Sequence, residues 1–229
     1  MNGIKPYNID SYFQKKSIKD FLENSKGSFK GDFLDVGCGK MPYKDLILEQ
    51  NGVEKYIGLD IEQALVYDDN IRPDYTWDGI TMPFKNNSFD SIMATEVLEH
   101  CPDIDIIIGE IFRVLKPGGG FFFTIPYLWP LHEVPHDEYR YTPFSLKRIF
   151  LKHGFKSIKI NASGGWNAAL GQMLGLWLLR SGKMNLTRKV LIRFMLPFIS
   201  WLYKSDVKPR EFVESTMITG ITGVCLKKG

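Results

Sequence analysis

The run Phe33-Leu34-Asp35-Val36-Gly37-Cys38-Gly39-Lys40-Met41-Pro42-Tyr43 restricts what this chain can fold into more than any other stretch. Phe33 to Val36 is apolar apart from one acid, the pattern of a strand covered on both faces. Gly37 and Gly39 allow positive φ and remove the β-carbons that would hold a ligand off the backbone. A helix expected from about Tyr43 to Gln50 would turn its free N–H groups toward the same place. Strand, G-x-G turn and helix together predict a nucleotide-like ligand. No G-K-[ST] follows, so the turn is not a triphosphate P-loop. Pro42 stands where G-x-G-x-x-G has its third glycine, which weighs against a pyrophosphate-binding dinucleotide site.

The rest of the chain repeats the alternation. Strands are expected at Lys55–Asp60, Asp74–Trp77, Ser88–Ala94, Phe121–Ile125, Phe155–Ile160 and Met217–Leu226. A helical turn follows at Thr95–His100. Pro102–Leu115 carries Ile104, Ile107, Ile108, Ile111, Phe112 and Leu115 at helical spacing, and Lys116-Pro117-Gly118-Gly119-Gly120 should stop that helix. Further helices are expected at Asp10–Asn24 and Pro143–His153. Such alternation implies an α/β domain built on a mostly parallel sheet with helices on both faces. Residues 1–30 read as an N-terminal helical segment and 31–229 as the main domain, with a helical insertion at 165–206 before the last strand.

With 44% hydrophobic and 14% aromatic residues, the chain can bury a substantial core, which excludes global disorder. The net charge of +3 is too small to argue for nucleic acid. Its distribution is uneven, because Arg180–Arg210 holds eight Lys or Arg and one acid, +7, leaving −4 for the rest. Cys38, Cys101 and Cys225 are far apart and form no C-x-x-C pair, which fits a reducing compartment. No apolar leader is visible at the N-terminus, so a cytoplasmic location is the expectation.

In an open α/β sheet, ligands sit outside the carboxyl ends of the strands near the point where strand order reverses. Asp35 to Gly39, Asp60, Asp78 and Thr95-Glu96 all fall at such ends. An acid like Asp60 can accept from both hydroxyls of a ribose. Asp78, beside Gly79, can accept from an exocyclic adenine amine. Each also has a plain structural reading: Asp35 as a cap on the turn's amides, Asp60 and Asp78 as loop acids.

Four segments in order resemble the class I S-adenosylmethionine-dependent methyltransferases. They are Leu34-Asp35-Val36-Gly37-Cys38-Gly39, Tyr56-Ile57-Gly58-Leu59-Asp60, Met82-Pro83-Phe84 through Ser88-Phe89-Asp90 to Val97-Leu98-Glu99-His100, and Arg113-Val114-Leu115-Lys116-Pro117-Gly118-Gly119. The resemblance covers about Phe33 to Ile160. It implies a Rossmann-like, seven-stranded sheet and S-adenosyl-L-methionine as cofactor. Asp35, Gly37, Cys38 and Gly39 would hold its methionyl part, Asp60 and Ile61 the ribose, and Asp78 and Gly79 the adenine, with Thr95 and Glu96 closing the site. Pro42-Tyr43 also occurs in a subgroup that looks like methyltransferases of glycan and cell-surface biosynthesis, so a sugar or lipid-linked glycan oxygen is the expected acceptor. A catalytically inactive cofactor-binding scaffold is the alternative.

The stretch Pro126 to Pro143 follows the fifth strand, where an acceptor would face the methyl group, and resembles the same subgroup. It contains a formal H-E-x-x-H, His132-Glu133-Val134-Pro135-His136. A zincin needs both histidines on one helical face, and Pro135 would break that helix at a cost of ~3 kcal/mol. No metal is therefore expected. His132 or His136 is the expected base, since histidine titrates near neutrality. Asp137 would orient the histidine or bind substrate, and Tyr127, Tyr139 and Arg140 would bind substrate, Arg140 through an anionic group. The competing reading is a structural network of His136, Asp137 and Arg140, and His100 reads as structural. In the apolar segments Trp166–Leu179 and Val190–Tyr203, Gln172, Arg180, Arg193 and Pro197 break any run long enough to span a bilayer. A lid, a homodimer face or a peripheral membrane contact through 166–204 stay open. The expected partner is a small-molecule substrate, not a nucleic acid: no Asn/Asp-Pro-Pro-aromatic tetrapeptide follows the fourth strand.

Overall fold

A computed structural model of the chain describes residues 3–62 and 71–229. Seven strands form one sheet in the order β3-β2-β1-β4-β5-β7-β6. They are β1 (Gly31–Val36), β2 (Val53–Ile61), β3 (Tyr75–Trp77), β4 (Phe89–Thr95), β5 (Leu115–Pro126), β6 (Phe155–Ala162) and β7 (Gly220–Lys227). β1 pairs in parallel with β2 on one side and β4 on the other, β2 with β3, and β4 with β5. The chain runs outward from β1 to β3 and then returns to the far side of β1. The order therefore reverses between β1 and β4, the place where ligands bind in such sheets.

Burial explains the central strands. Phe33, Leu34 and Val36 of β1, Ile92 to Ala94 of β4 and Phe121 to Phe123 of β5 are all buried. Helix α1 covers Tyr12–Asn24, α2 Lys44–Leu48, α3 Ile104–Val114 and α4 Pro143–Lys152. The Asp103 carboxylate caps α3 by accepting from the amides of Asp105 and Ile106. Ile107, Ile108, Ile111 and Val114 are its buried face. Thr142 and Ser145 form a capping box at the start of α4.

One expectation is corrected here. Lys116–Gly120 ends α3 as expected, but the fifth strand, expected at Phe121–Ile125, already begins at Leu115. Leu115 pairs with Phe89 and Gly120 with Ser91, and the register shift between Phe89 and Ser91 absorbs the extra residues. The glycines make this possible: Gly118 takes φ +77°, and a β-carbon on Gly119 would lie 3.0 Å from the Asp90 carbonyl.

The chain divides into two compact units. The larger comprises Phe21–Ile125, Leu131–Ile160 and Thr222–Gly229, and holds most of the sheet. The smaller comprises Met1–Asp20, Pro126–Pro130 and Asn161–Ile221. It contains α5 (Trp166–Arg180) and α6 (Leu186–Lys204), whose core gathers Ile9, Leu178, Ile192 and Ile199. Close approach in this unit depends on glycine, because a β-carbon on Gly175 would sit 2.3 Å from the Ile9 carbonyl oxygen. Among the described residues, no helix is long and apolar enough to cross a membrane.

Candidate active site

The glycine turn after β1 is bound to the end of β2. The amides of Gly37 and Cys38 both donate to the Leu59 carbonyl, at 2.8 and 3.1 Å. Gly39 N–H donates to Asp60 Oδ2 and Ile61 N–H to Asp60 Oδ1, each at 2.8 Å. Asp60 thus fixes the turn while each carboxylate oxygen keeps a further lone pair. Burial raises its pKa, two backbone amides oppose that, and the nearby Glu133 carboxylate adds to it.

Gly37 has φ +66°, and a β-carbon there would meet Val97 at 2.5 Å. Gly58 on β2 faces Cys38 Sγ, 3.0 Å from where its β-carbon would be. These two positions keep the floor of the cleft at backbone height. Asp35 is 2% exposed. The Tyr56 hydroxyl donates to its Oδ2, and its Oδ1 has no partner. Burial pushes the Asp35 carboxyl up to about 7, against the pull of Tyr56. A buried oxygen without a donor has the chemistry to receive one from a ligand.

The other strand ends complete the rim. Asp78 Oδ1 accepts from the Ile80 and Thr81 amides at 2.8 and 2.9 Å, which folds Asp78-Gly79 into a fixed turn and lowers the carboxyl pKa. Thr95 ends β4. Glu96 follows in the left-handed region at φ +55°, with Thr124 Oγ1 donating to its carboxylate at 2.8 Å. A non-glycine residue held in that region next to a cleft marks backbone strain kept by its surroundings.

The stretch after β5 is irregular, as its prolines require. Asp137 is its hub. Arg140 donates to both of its carboxylate oxygens, at 2.6 and 2.8 Å, and its side chain is only 2% exposed. Asp137 also accepts from the backbone amide and the Nδ1 of His132, both at 3.2 Å. The Arg140 guanidinium holds the Asp137 carboxyl down to about 2. Burial lowers the His132 pKa, with Asp137 opposing it, so the imidazole is neutral at pH 7. The His136 ring makes no part of this chain of bonds, whereas its backbone carbonyl accepts from His100 Nδ1 at 2.9 Å. Tyr139 donates its hydroxyl to the Pro102 carbonyl and its amide to that of Glu99. Tyr127 belongs to the smaller unit, where its amide donates to the Thr219 carbonyl.

Two features here lay beyond sequence reasoning. Tyr56 is the partner of Asp35, although its hydroxyl could as well have faced solvent. Glu99 is 0% exposed and comes together with His100 and His132. Burial raises the Glu99 carboxyl well above the usual range, with the Glu96 charge adding to it. No local signal announces this group, because His132 sits on a segment far from Glu99 and His100 in the chain.

Residues 34–123 match the family described as the methyltransferase domain. This stretch is similar to methyltransferase domains, and the chain spans less than a third of the length of the sterol methyltransferase it matches. Over 113 residues the chain is 36% identical to the sterol 24-C-methyltransferase erg6 of Aspergillus fumigatus, covering 44% of this chain and 29% of that enzyme. Over 209 residues it is 27% identical to the demethylmenaquinone methyltransferase of Staphylococcus haemolyticus, covering 74% of this chain and 85% of the relative. The fold matches a solved SAM-dependent methyltransferase of Archaeoglobus fulgidus with a TM-score of 0.58 at 17% identity, over 94% of each chain. The matched segment contains the glycine turn and the acids at the ends of β2 and β3. It ends before the His132–Arg140 loop.

Proposed function

We propose that the whole chain is an S-adenosylmethionine-dependent methyltransferase acting on a small lipophilic acceptor that offers a hydroxyl oxygen. Asp35, Gly37, Cys38 and Gly39 hold the methionyl end of the cofactor, with the unpartnered Oδ1 of Asp35 receiving a donor from it. Asp60, with Ile61 beside it, receives the ribose hydroxyls on its remaining lone pairs. Asp78 and Gly79 border the adenine, and Thr95 and Glu96 close the site from β4. Bound S-adenosylmethionine supplies an electrophilic methyl group on a sulfonium.

The observation that carries the reading is the Arg140–Asp137–His132 chain of bonds. Arg140 keeps Asp137 ionised, and Asp137 fixes the proton of His132 on Nδ1. The Nε2 lone pair is then free to take the acceptor's proton as the methyl group is transferred. Asp137 and Arg140 are positioning residues in this scheme, and Tyr139 orients the acceptor beside them. His136 is the weaker candidate for base, since its ring has no orienting carboxylate. A lipophilic acceptor agrees with the sterol and demethylmenaquinone named for the relatives, and with the apolar face of α5 and α6. That face, basic as well as apolar, is proposed to rest on an anionic membrane.

The test is transfer of labelled methyl from S-adenosylmethionine into a lipid extract and into an aqueous metabolite extract. Label should appear in the organic fraction. In His132→Ala turnover should fall by ~10²-fold or more while cofactor affinity is kept. Label confined to the aqueous fraction would remove the lipophilic acceptor. Absence of label from both would favour a cofactor-binding scaffold.

A further inference from the structure

Glu99, His100 and His132 each bring one ligand-type atom to a common point, all within 4.8 Å of one another. The hydrogen bonds around them dictate what that point lacks. His100 Nδ1 faces the His136 carbonyl oxygen at 2.9 Å, and a carbonyl can only accept. His132 Nδ1 faces the Asp137 carboxylate, which Arg140 keeps ionised and therefore also an acceptor. Each ring must therefore carry a proton on Nδ1, and in the neutral ring this leaves Nε2 as a lone pair. Beside them stands the Glu99 carboxylate, 0% exposed, with neither oxygen hydrogen-bonded. His100 Nε2 is 3.7 Å from Glu99 Oε1 and 3.8 Å from Glu133 Oε2. Both distances are too long for a hydrogen bond. With both rings neutral and Glu99 ionised, three acceptor atoms share one centre, an arrangement that a bound cation would stabilise.

We propose that Glu99, His100 and His132 bind a divalent transition-metal cation. Two imidazole nitrogens and one carboxylate form an N/O set suited to zinc, manganese or iron(II) rather than to thiolate-seeking metals. Cys101 stays out of the set, since its thiol donates to the Val97 carbonyl. Ligand atoms 2.0–2.2 Å from a tetrahedral ion lie about 3.4 Å apart, so the 3.7 Å pair is near the required edge and the widest pair needs only small side-chain rotation. The supports beyond the ligands have the arrangement metal-binding histidines use, each Nδ1–H anchored on a carbonyl or carboxylate. Three protein ligands leave a coordination position open for an oxygen of the acceptor or water. This revises the sequence expectation of no metal, and it does so without the H-E-x-x-H reading, because His136 supplies only its backbone carbonyl.

The site rests on these three side chains and not on the methyl-transfer reading. Where both hold, the cation takes the His132 lone pair and acidifies the acceptor hydroxyl by coordination, and the proton passes to solvent water instead of to His132. The full-length protein, stripped with chelator, is titrated with Zn²⁺ and with Mn²⁺ by calorimetry, and Mn²⁺ binding is followed by electron paramagnetic resonance. About one equivalent per chain should bind at least one of the two ions. Affinity should fall about tenfold or more in His132→Ala and ten- to hundredfold in Asp137→Asn, with His136→Ala unchanged. Glu99→Gln should behave like His132→Ala. Should it fail to fold, the partly exposed His132 carries the test. No saturable binding of either ion, or binding unaltered in His132→Ala, overturns the proposal. Metal bound with no methyl transfer keeps the site and removes the enzymatic reading, whereas turnover by metal-free protein keeps that reading and removes only coordination of the acceptor hydroxyl; the site itself then stands or falls on the binding titration.

Discussion

Asp35 combines a place at the end of β1 with the energetic cost of a buried carboxyl. Its pKa rises from 3.8 to about 7 in the folded chain, chiefly through burial. A group whose folded pKa is raised binds more protons folded than unfolded, so its contribution to stability is complete below pH ~4 and is lost as pH rises through ~7. The loss is of the order of a few kcal/mol. Asp35→Asn cannot titrate, so its melting temperature should decline less than that of the natural protein between pH 4 and 8, measured without cofactor. Parallel curves for the two proteins would show that Asp35 is ionised in both states. At this scale the sequence was informative about residue type and poor about partners. The acids of the strand ends were legible from spacing, but the Tyr56 bond to Asp35 and the Asp60 bond to Gly39 depend on two strands lying side by side.

Among the elements, the β1 turn shows how little freedom the backbone has. Gly37 needs φ +66° and leaves 2.5 Å between a notional β-carbon and Val97. Gly37→Ala should therefore cost about 1–2 kcal/mol for the left-handed conformation, plus the clash. Adding Val97→Ala should recover only the steric part, which urea unfolding of the single and double variants will separate. Full recovery in the double variant would mean that the conformation itself costs nothing there. Helix α3 was legible because its isoleucines keep helical spacing and Asp103 caps it; expected at Pro102–Leu115, it spans Ile104–Val114. The glycine run after it was misleading for a definite reason. Lys116–Gly120 has the composition of a loop, and its middle bulges out of the ladder, yet Leu115 before it and Gly120 at its end both pair with β4. Local propensity is a weak prior where a neighbouring strand supplies the hydrogen bonds.

Across the whole molecule, charge and exposed apolar surface fall together. On α6, Leu186, Val190, Phe194, Phe198 and Trp201 are 77, 46, 77, 45 and 57% exposed, at spacings of three or four residues that put them on one helical face. Exposed Lys189 and Arg193 lie among them, within the segment that carries +7. A basic helix with an exposed apolar face fits an anionic bilayer surface. The full chain should sediment with vesicles containing phosphatidylserine and less with neutral phosphatidylcholine, and Phe194→Ser with Trp201→Ser should abolish the difference. Equal sedimentation of natural and variant protein would remove the membrane contact, and a concentration-dependent dimer lost in the same variant would replace it with a homodimer face. The sequence by itself determined the alternation of strands and helices, the glycine turn and the acids at the strand ends, because periodicity and turn chemistry are local properties. Only the tertiary structure decided that Glu99, His100 and His132 converge, that Asp137 is held between His132 and Arg140, and that Glu99 has no hydrogen-bond partner. Those facts depend on which segments the sheet brings together, and no local pattern encodes that.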